Sequence, residues 1–395
     1  MTSRPESARS LPRVVKQLGV VSFFNDLASE MVYPLLPALV TARLGVGALA
    51  LGALDGIADA VAAVVKLASG WLAEQRRRRR PLVVGGYAVA TAVRPLMGLA
   101  GAAWQVIALR AVDRLGKGVR NPPRDAVIAD ASPGEIRGRA FGFHRAMDHA
   151  GAMLGPLVAW ALIAGAGAAP ADVFVWSVVP GVLAVLAVAW AMGRVDRAGP
   201  EPAEAEVRQV SPTGGGTGQR SSRYLFGLIV VFAFARLPET LMLLRLHDLG
   251  MTVALVPLVW AALHVVRSLA SYPGGWLSDH LGARPTMLVG WAVYAVVCGG
   301  LSTAPTPAAA AGWFLVFGLV AAATEPTERA FVAAAGAARR RGRRFGVYHA
   351  SVGLAALPGG LMFGGLYAAA GGATALFVSG AMAAALVLFG LLSGA

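Results

Sequence analysis

Two acidic residues, Asp26 and Glu30, lie four positions apart in the first long apolar stretch of the chain, beside Asn25. Residues at this spacing share one face of a helix, so the two carboxyl groups should meet the same surroundings. A charge at the middle of a bilayer costs about 2.5–3.5 kcal/mol and is kept where it pairs or faces a polar cavity. Burial and a neighbouring like charge both favour the neutral form of a carboxyl group. The pattern predicts that Asp26 or Glu30 carries a proton; the alternative is a permanent ion pair with an arginine.

Further acidic residues in apolar stretches extend this set of candidates. Asp55 and Asp59 also share one helical face, and they serve either in coupling or as structural partners of arginines in the fourth stretch. Asp113 stands four positions before Lys117 and is predicted to pair with it. Asp148 is predicted to pair with Arg145 or with a group of the first stretch. The candidate proton-coupling residues are Asp26, Glu30, Asp55, Asp59, Asp113 and Asp148.

Amide, basic and aromatic side chains in the same stretches are candidates for substrate binding. Guanidinium groups bind carboxylates and phosphates through paired hydrogen bonds, and aromatic rings line apolar pockets. Acidic residues concentrate in the first half of the chain, so we expect ion coupling there and an apolar pocket wall in the second half. For each aromatic residue, ordinary helix packing is the alternative. The candidates are Asn25, Tyr33, Arg110, Arg114, Trp260, His264 and Arg267.

Long apolar segments must position these residues. Of the 395 residues, 56% are hydrophobic and only 14% are charged, whereas a soluble domain has roughly 25% charged residues. About twelve segments reach the length of roughly 20 residues that crosses the hydrocarbon core. We therefore predict an all-α membrane protein with twelve transmembrane helices in two six-helix bundles, 1–193 and 224–395. The segment 194–223, rich in Pro, Glu, Ser and Gly, is predicted to be a flexible cytoplasmic linker.

The net charge of +14 has a distribution that argues against nucleic-acid binding. Arginine clusters fall in alternate loops, as the positive-inside rule requires, so both termini and the linker are expected in the cytoplasm. We expect the protein in the cell inner (plasma) membrane, without a cleaved signal peptide.

Motifs for enzymatic chemistry are absent from the sequence. Cys298 is the single cysteine, and no Walker lysine motif, zinc-binding His pair or nucleophile elbow is present. We therefore expect no enzyme activity, no cofactor and no metal site, and an ion gradient as the energy source.

The two halves of the chain repeat each other. Segment 137–146 aligns without gaps with 341–350 at an offset of 204, and both begin Arg-Gly-Arg. At an offset of 205, Gly-Trp-Leu-Ala-Glu at 70–74 matches Gly-Trp-Leu-Ser-Asp at 275–279. Six spans per half in the same orientation indicate a parallel repeat, related by an axis along the membrane normal.

The segments after the second and eighth spans resemble the signature Gly-x-x-x-Asp-Arg-x-Gly-Arg-Lys/Arg of the major facilitator superfamily. The first copy has Glu where the family has Asp and lacks the second Gly. The fifth span is similar to the antiporter pattern Gly-x8-Gly-x3-Gly-Pro-x2-Gly, with Ala159 at its last position. Gly142 also fits the antiporter pattern. The residues to which the resemblance assigns gating are Gly70, Glu74, Gly275, Asp279, Gly282, Arg284, Gly151, Gly155 and Pro156.

The resemblance covers nearly the whole chain and implies a secondary active transporter that works by alternating access. The antiporter pattern favours proton-coupled export of small organic molecules, drugs or metabolites. Proton-coupled uptake of an organic anion is one alternative, and a transporter-like receptor that moves no substrate is another. The expected partners are a small-molecule substrate, protons and the lipid bilayer, and we expect a monomer.

Overall fold

The computed structural model describes residues 10–36, 62–197, 217–252, 255–335, 337 and 340–393. Within these ranges the regular structure is helical and contains no strand, which confirms the predicted all-α class. Two of the candidate proton-coupling residues, Asp55 and Asp59, lie outside the described residues.

The N-terminal part of the described chain begins at α1 and ends with α7. A 3-10 turn follows α1 at Tyr33–Leu35, and a π-helical turn follows α5 at Ala161–Gly165. The helices are α1 (Arg13–Val32), α2 (Ala62–Leu72), α3 (Arg76–Gly98), α4 (Ala103–Ala131), α5 (Arg137–Trp160), α6 (Pro170–Trp176) and α7 (Val178–Arg197).

The C-terminal part contains α8 to α13. Its last helix, 52 residues long, contains Gly371 at φ 82°, a left-handed conformation that divides it into arms 341–370 and 372–392. At about 1.5 Å per residue its total length is about 78 Å, more than twice the hydrocarbon thickness. The helices are α8 (Thr217–Ala235), α9 (Glu239–Asp248), α10 (Val256–Leu281), α11 (Ala283–Thr303), α12 (Pro307–Ala334) and α13 (Arg341–Leu392).

Six helical stretches of the described residues are long and apolar enough to cross a membrane. They are 134–165, 170–194, 222–248, 283–303, 307–334 and 341–392. Helix α4 is 29 residues long but is not among them, because it carries too many charged residues. Those charges belong to the candidate site.

The chain forms two compact units. Unit 1 comprises Met1–Pro133, Phe143–Gly199 and Gly336–Ala350; unit 2 comprises Gly134–Gly142, Pro200–Ala335 and Ser351–Ala395. Helix α5 therefore begins in unit 2 and continues in unit 1, and helix α13 does the reverse. In unit 1 the main packing partners are α3 with α4 and α1 with α7; in unit 2 they are α12 with α10 and with α11.

The internal repeat has a structural counterpart in each unit. In unit 1, Gly70 packs against α13, where a Cβ atom on Gly70 would stand 2.6 Å from the carbonyl oxygen of Gly342. In unit 2, Gly275 packs against the backbone of Gly138 at the start of α5, again with no room for a Cβ atom. The same pair of repeated segments thus makes a backbone-to-backbone contact twice, which only glycine permits.

Candidate functional site

The polar interior of unit 1 begins on α1. Asn25 is buried, and its side-chain amide donates a hydrogen bond to Oδ1 of Asp26 at 2.7 Å. Asp26 and Glu30 are both half-buried, on the face that the sequence predicts them to share. Within the described residues neither carboxylate has a cationic nitrogen at ion-pair distance. In this they differ from Asp113 on α4 and Asp148 on α5, which both form ion pairs.

Arg94 of α3 connects α1 with α4. Its Nε donates to Oδ1 of Asp113 at 3.0 Å, while Nη1 and Nη2 donate to the backbone and side-chain oxygens of Asn25, each at 3.2 Å. Arg94 is only 4% exposed. Sequence reasoning missed it, although a lone arginine in an otherwise apolar span was a signal that it has a buried partner.

The predicted pairing of Asp113 with Lys117 is wrong. Asp113 lies between two guanidinium groups, those of Arg94 and of Arg110, whose Nη1 is 3.4 Å from Oδ2. The i, i+4 spacing allowed the Lys117 pair, but the side chain of Asp113 points toward α3, where Arg94 supplies a fork of donors. Arg110 also lies over the ring of Tyr33, 4.9 Å from its centroid.

Lys117 is exposed and interacts electrostatically with Asp26 and Glu30. By accessible surface, Asp26 and Glu30 are half-buried and Lys117 is exposed, so each of the three side chains is partly accessible. Arg114, on the same helix, also interacts electrostatically with Glu30. Residues that sequence reasoning assigned to proton coupling and to substrate binding are therefore neighbours in unit 1.

Helix α5 contributes a second polar group to this interior. Asp148 contacts the guanidinium of Arg145, which confirms one of the two predicted pairings, and its Oδ2 lies 3.8 Å from Nδ1 of His144. The other ring nitrogen of His144, Nε2, is 2.8 Å from Oγ of Ser22 on α1. The negative charges of Asp148 and Asp26 also repel each other. The carboxylates of α1 and α5 thus meet at one helix interface.

Two glycines of the antiporter-like pattern, Gly151 and Gly155, form that interface. A Cβ atom on Gly155 would stand 2.7 Å from Cβ of Glu30, and one on Gly151 would meet the backbone of α1 at Phe23 and Leu27. Pro156 follows within α5. Any larger side chain would push α1 away from α5 at the level of the acidic residues.

The candidates in the second half lie in unit 2. Arg267 donates a hydrogen bond to Glu239 at 2.7 Å and stands over the ring of Phe317. His264 is buried, and its ring is edge-on to that of Trp260 at 5.2 Å. The interior of this unit is more charged than the sequence-based expectation of an apolar wall, because Arg236 interacts electrostatically with Glu239, Glu325 and Glu328.

The two signature copies differ in how their acidic residues are used. Asp279 accepts hydrogen bonds from the first turn of α5, and the nearby Gly282 has φ 88°, which suits glycine at the turn into α11. Arg284 donates to a carbonyl oxygen of α13. In the first copy, Oε1 of Glu74 is buried and has no hydrogen-bond partner among the described residues.

The sequence profile of the Major Facilitator Superfamily matches residues 18–266 and 225–393. The chain belongs to this superfamily. Both the resemblance inferred from the motifs and the predicted fold are thereby confirmed, and the chain is an integral membrane protein of a transporter family.

Relatives from this superfamily extend over nearly the whole chain. An uncharacterized MFS-type transporter of Methanocaldococcus jannaschii is 27% identical over 92% of this chain and 90% of its own length. An uncharacterized protein of Mycobacterium tuberculosis is 31% identical over 91% and 88%, respectively. Multidrug resistance protein MdtH of Yersinia pestis is 30% identical over 146 residues, 37% of this chain and 35% of that protein.

Solved structures of two other proteins share the fold. The human organic anion transporter MFSD10 has a TM-score of 0.73 at 16% identity, covering 98% of this chain and all of that chain. A bacterial homologue of the iron transporter ferroportin has a TM-score of 0.76 at 13% identity, covering 97% and 100%. At these identities the likeness concerns the fold alone.

Proposed function

We propose that this superfamily member is a proton-coupled antiporter that exports small organic molecules by alternating access, with Asp26 or Glu30 carrying the proton. The observation that carries the proposal is the pair of half-buried, partly accessible carboxylates on α1, which form no ion pair within the described residues, unlike Asp113 and Asp148. A carrier must bind and release its proton in every cycle, so it needs both access and freedom from a permanent counter-ion.

The other acidic candidates are held more firmly. Asp113 lies between two guanidinium groups, and Asp148 contacts Arg145 and lies near His144. Protonating either would leave a buried cation without its partner, which costs several kcal/mol. Asp26, in contrast, accepts a hydrogen bond from the neutral amide of Asn25. Its protonation leaves no arginine uncompensated, so we assign the permanent counter-ion role to Asp113 and Asp148.

Exchange follows from competition for the same carboxylates. A substrate group that binds to ionised Asp26 or Glu30, beside Lys117, is displaced when a proton neutralises them, and the reverse holds by linkage. Proton entry releases about 2.3 kcal/mol per charge at 100 mV. With both termini in the cytoplasm, as the arginine-rich loops predict, that energy drives extrusion.

Three further observations favour export over uptake of an organic anion. Two of the three arginines that could clamp an anion, Arg110 and Arg267, already contact Asp113 and Glu239. The antiporter-like glycines lie directly against α1 at Glu30. The partial similarity to a multidrug resistance protein points the same way.

We assign the signature residues around Gly70 and Gly275 to gating. At both glycines two segments touch backbone to backbone, so they cannot slide past each other unless they first move apart.

The decisive experiment measures pH inside everted membrane vesicles that have been energised to an acidic interior. Addition of a transported drug or metabolite should release protons outward and alkalinise the interior. Asp26→Asn and Glu30→Gln should each be tested, together with Glu135→Gln, which removes an exposed carboxylate from the loop before α5.

Loss of the response in Asp26→Asn or Glu30→Gln, with the response kept in Glu135→Gln, supports the proposal. Acidification on addition of an organic anion would instead indicate symport. A protein that binds ligand but gives no pH response with any compound of the panel would contradict transport coupled to protons.

A further inference from the structure

A chain of hydrogen bonds links Arg94 of α3 to the carboxyl group of Asp26 on α1. Nη2 of Arg94 donates to the side-chain oxygen of Asn25 at 3.2 Å, and the amide nitrogen of Asn25 donates to Oδ1 of Asp26 at 2.7 Å. Arg94 and Asn25 are each 4% exposed, whereas Asp26 is partly accessible. The chain therefore connects the buried part of unit 1 to one of the two carboxyl groups that we assign to proton transport.

Arg94 fixes the orientation of the Asn25 amide. A guanidinium group has only donors, so the amide oxygen must face it. The reverse orientation would place the NH2 group against Arg94 and the oxygen against the carboxylate of Asp26. Nη1 of Arg94 also donates to the backbone oxygen of Asn25, at 3.2 Å. These two bonds to one residue leave the NH2 group directed at Asp26.

The position of Arg94 is itself set from α4. Its Nε donates to Oδ1 of Asp113 at 3.0 Å, and Asp113 is only 2% exposed. Arg94 is therefore already ion-paired, and within the described residues it reaches Asp26 through the Asn25 amide. Residues of α3 and α4 thus determine the direction of one hydrogen-bond donor on α1.

A donor held beside a carboxyl group favours the ionised form, because a carboxylate is the stronger acceptor. In a low-dielectric interior the positive charge of Arg94 polarises the amide and strengthens its bond to Asp26. Both effects make Asp26 release its proton more readily. Burial favours the neutral form instead, so a carrier that must give up its proton in every cycle benefits from such a donor.

A role in substrate binding, which the sequence suggests for Asn25, fits the geometry less well. The amide is engaged at both ends, by Arg94 and by Asp26, and the side chain is buried. A substrate group would have to displace one of these partners to bind it. The contacts of Asn25 therefore point to an action on Asp26.

We propose that Arg94 and Asn25 are positioning residues that set the proton affinity of Asp26, with Arg94 acting through the Asn25 amide. The inference rests on the proposed function, in which Asp26 binds and releases a proton during transport. It predicts that the pH at which Asp26 is half-protonated depends on two residues that carry no proton themselves.

The test measures protonation of Asp26 and needs no substrate. Dicyclohexylcarbodiimide reacts with protonated carboxyl groups, so its initial rate of attachment to Asp26 across a pH series gives the midpoint; mass spectrometry of the purified protein quantifies it. Asn25→Leu removes the donor and should raise the midpoint by about one pH unit, a tenfold gain in proton affinity. Asn25→Ala should give the same shift and takes its place if Asn25→Leu does not fold.

The matched control removes another buried amide of unit 1. Oδ1 of Asn121 has no hydrogen-bond partner among the described residues, and Asn121→Leu should keep the wild-type midpoint. An equal shift in Asn121→Leu would overturn the proposal in favour of a general packing effect.

A double variant separates positioning from charge. Arg94→Lys keeps the positive charge but lacks the guanidinium fork that holds Asp113 and both oxygens of Asn25. It should raise the midpoint in the wild-type background and add nothing in Asn25→Leu. An unchanged midpoint in Asn25→Leu, or a shift from Arg94→Lys that persists in full in the double variant, would overturn the proposal. The substrate-driven pH response of Asp26→Asn tests the proposed function separately, so failure of either can be recognised.

Discussion

Asp279 of α10 caps the first turn of α5: its Oδ1 accepts a hydrogen bond from the backbone N–H of Gly138 at 2.6 Å. Oδ2 accepts from the backbone N–H of Arg139 at 2.9 Å and from Nε of the same residue at 3.3 Å. The first N–H groups of a helix lack intrahelical partners, so one carboxylate satisfies two of them and also meets the positive end of the helix dipole.

This capping predicts a difference between the two signature copies. Asp279→Ala leaves the N–H groups of Gly138 and Arg139 without their acceptor and should lower the free energy of unfolding by about 1–3 kcal/mol. Glu74→Ala should change it much less, because Oε1 of Glu74 has no hydrogen-bond partner among the described residues. Thermal unfolding in detergent measures both. Equal losses in the two variants would contradict the assignment.

Arg94 and Asp113 should be strongly coupled. Arg94→Met leaves Asp113 with one guanidinium fewer and removes two hydrogen bonds to Asn25, so the single variant should lose about 3–5 kcal/mol. In a double-mutant cycle with Asp113→Asn the two changes should deviate from additivity by about 1–3 kcal/mol. The pair Arg94→Met and Glu135→Gln serves as control and should be additive to within about 0.5 kcal/mol. Additivity in the first cycle would mean that the bond does not stabilise the fold.

Asp130 should make stability depend on pH in the acidic range. Burial alone would raise the pKa of its carboxyl group, but the guanidinium of Arg79 and then that of Arg341 overcome this and hold the pKa below its ordinary value. A lowered pKa stabilises the folded state above the unfolded value of about 3.9, and this contribution is lost as the pH falls through the folded pKa.

The corresponding measurement compares the melting temperature of wild type and Asp130→Asn from pH 7 to pH 3. The difference between the two proteins should be constant above about pH 5 and should shrink as the pH falls below about 4. A difference that stays unchanged down to pH 3 would show that Arg79 and Arg341 do not stabilise the ionised carboxylate.

Gly155 should tolerate no side chain. A Cβ atom there would stand 2.7 Å from Cβ of Glu30, so Gly155→Ala should cost about 1–3 kcal/mol through overpacking. It should also abolish the substrate-driven pH response, because α1 and its carboxylates are displaced. Gly165→Ala, where the added methyl group meets nothing within 4 Å, is the matched control. A fully active Gly155→Ala protein would argue against a positioning role for this contact.

The sequence by itself determined the class of the protein and much of its internal organisation. The length of the apolar segments and the scarcity of charged residues indicated membrane-spanning helices. In the bilayer core every backbone polar group must be hydrogen-bonded within the protein, and a helix satisfies this requirement. The offset between 137–146 and 341–350 identified the repeat, which reappears as equivalent glycine contacts at Gly70 and Gly275. The shared face of Asp26 and Glu30 followed from helical periodicity, which is a local property of the chain.

Only the tertiary structure decided which charges meet. Spacing within α4 predicted that Asp113 pairs with Lys117. In the structure Asp113 instead forms ion pairs with Arg94 of α3 and Arg110 of α4. Likewise, the spacing of the glycines of α5 was recognisable in the sequence. The sequence did not show that Gly155 lies against Glu30. Helix periodicity fixes the direction of a side chain relative to its own axis, whereas its partner depends on how neighbouring helices are rotated and how deeply they pack, which a single sequence does not contain.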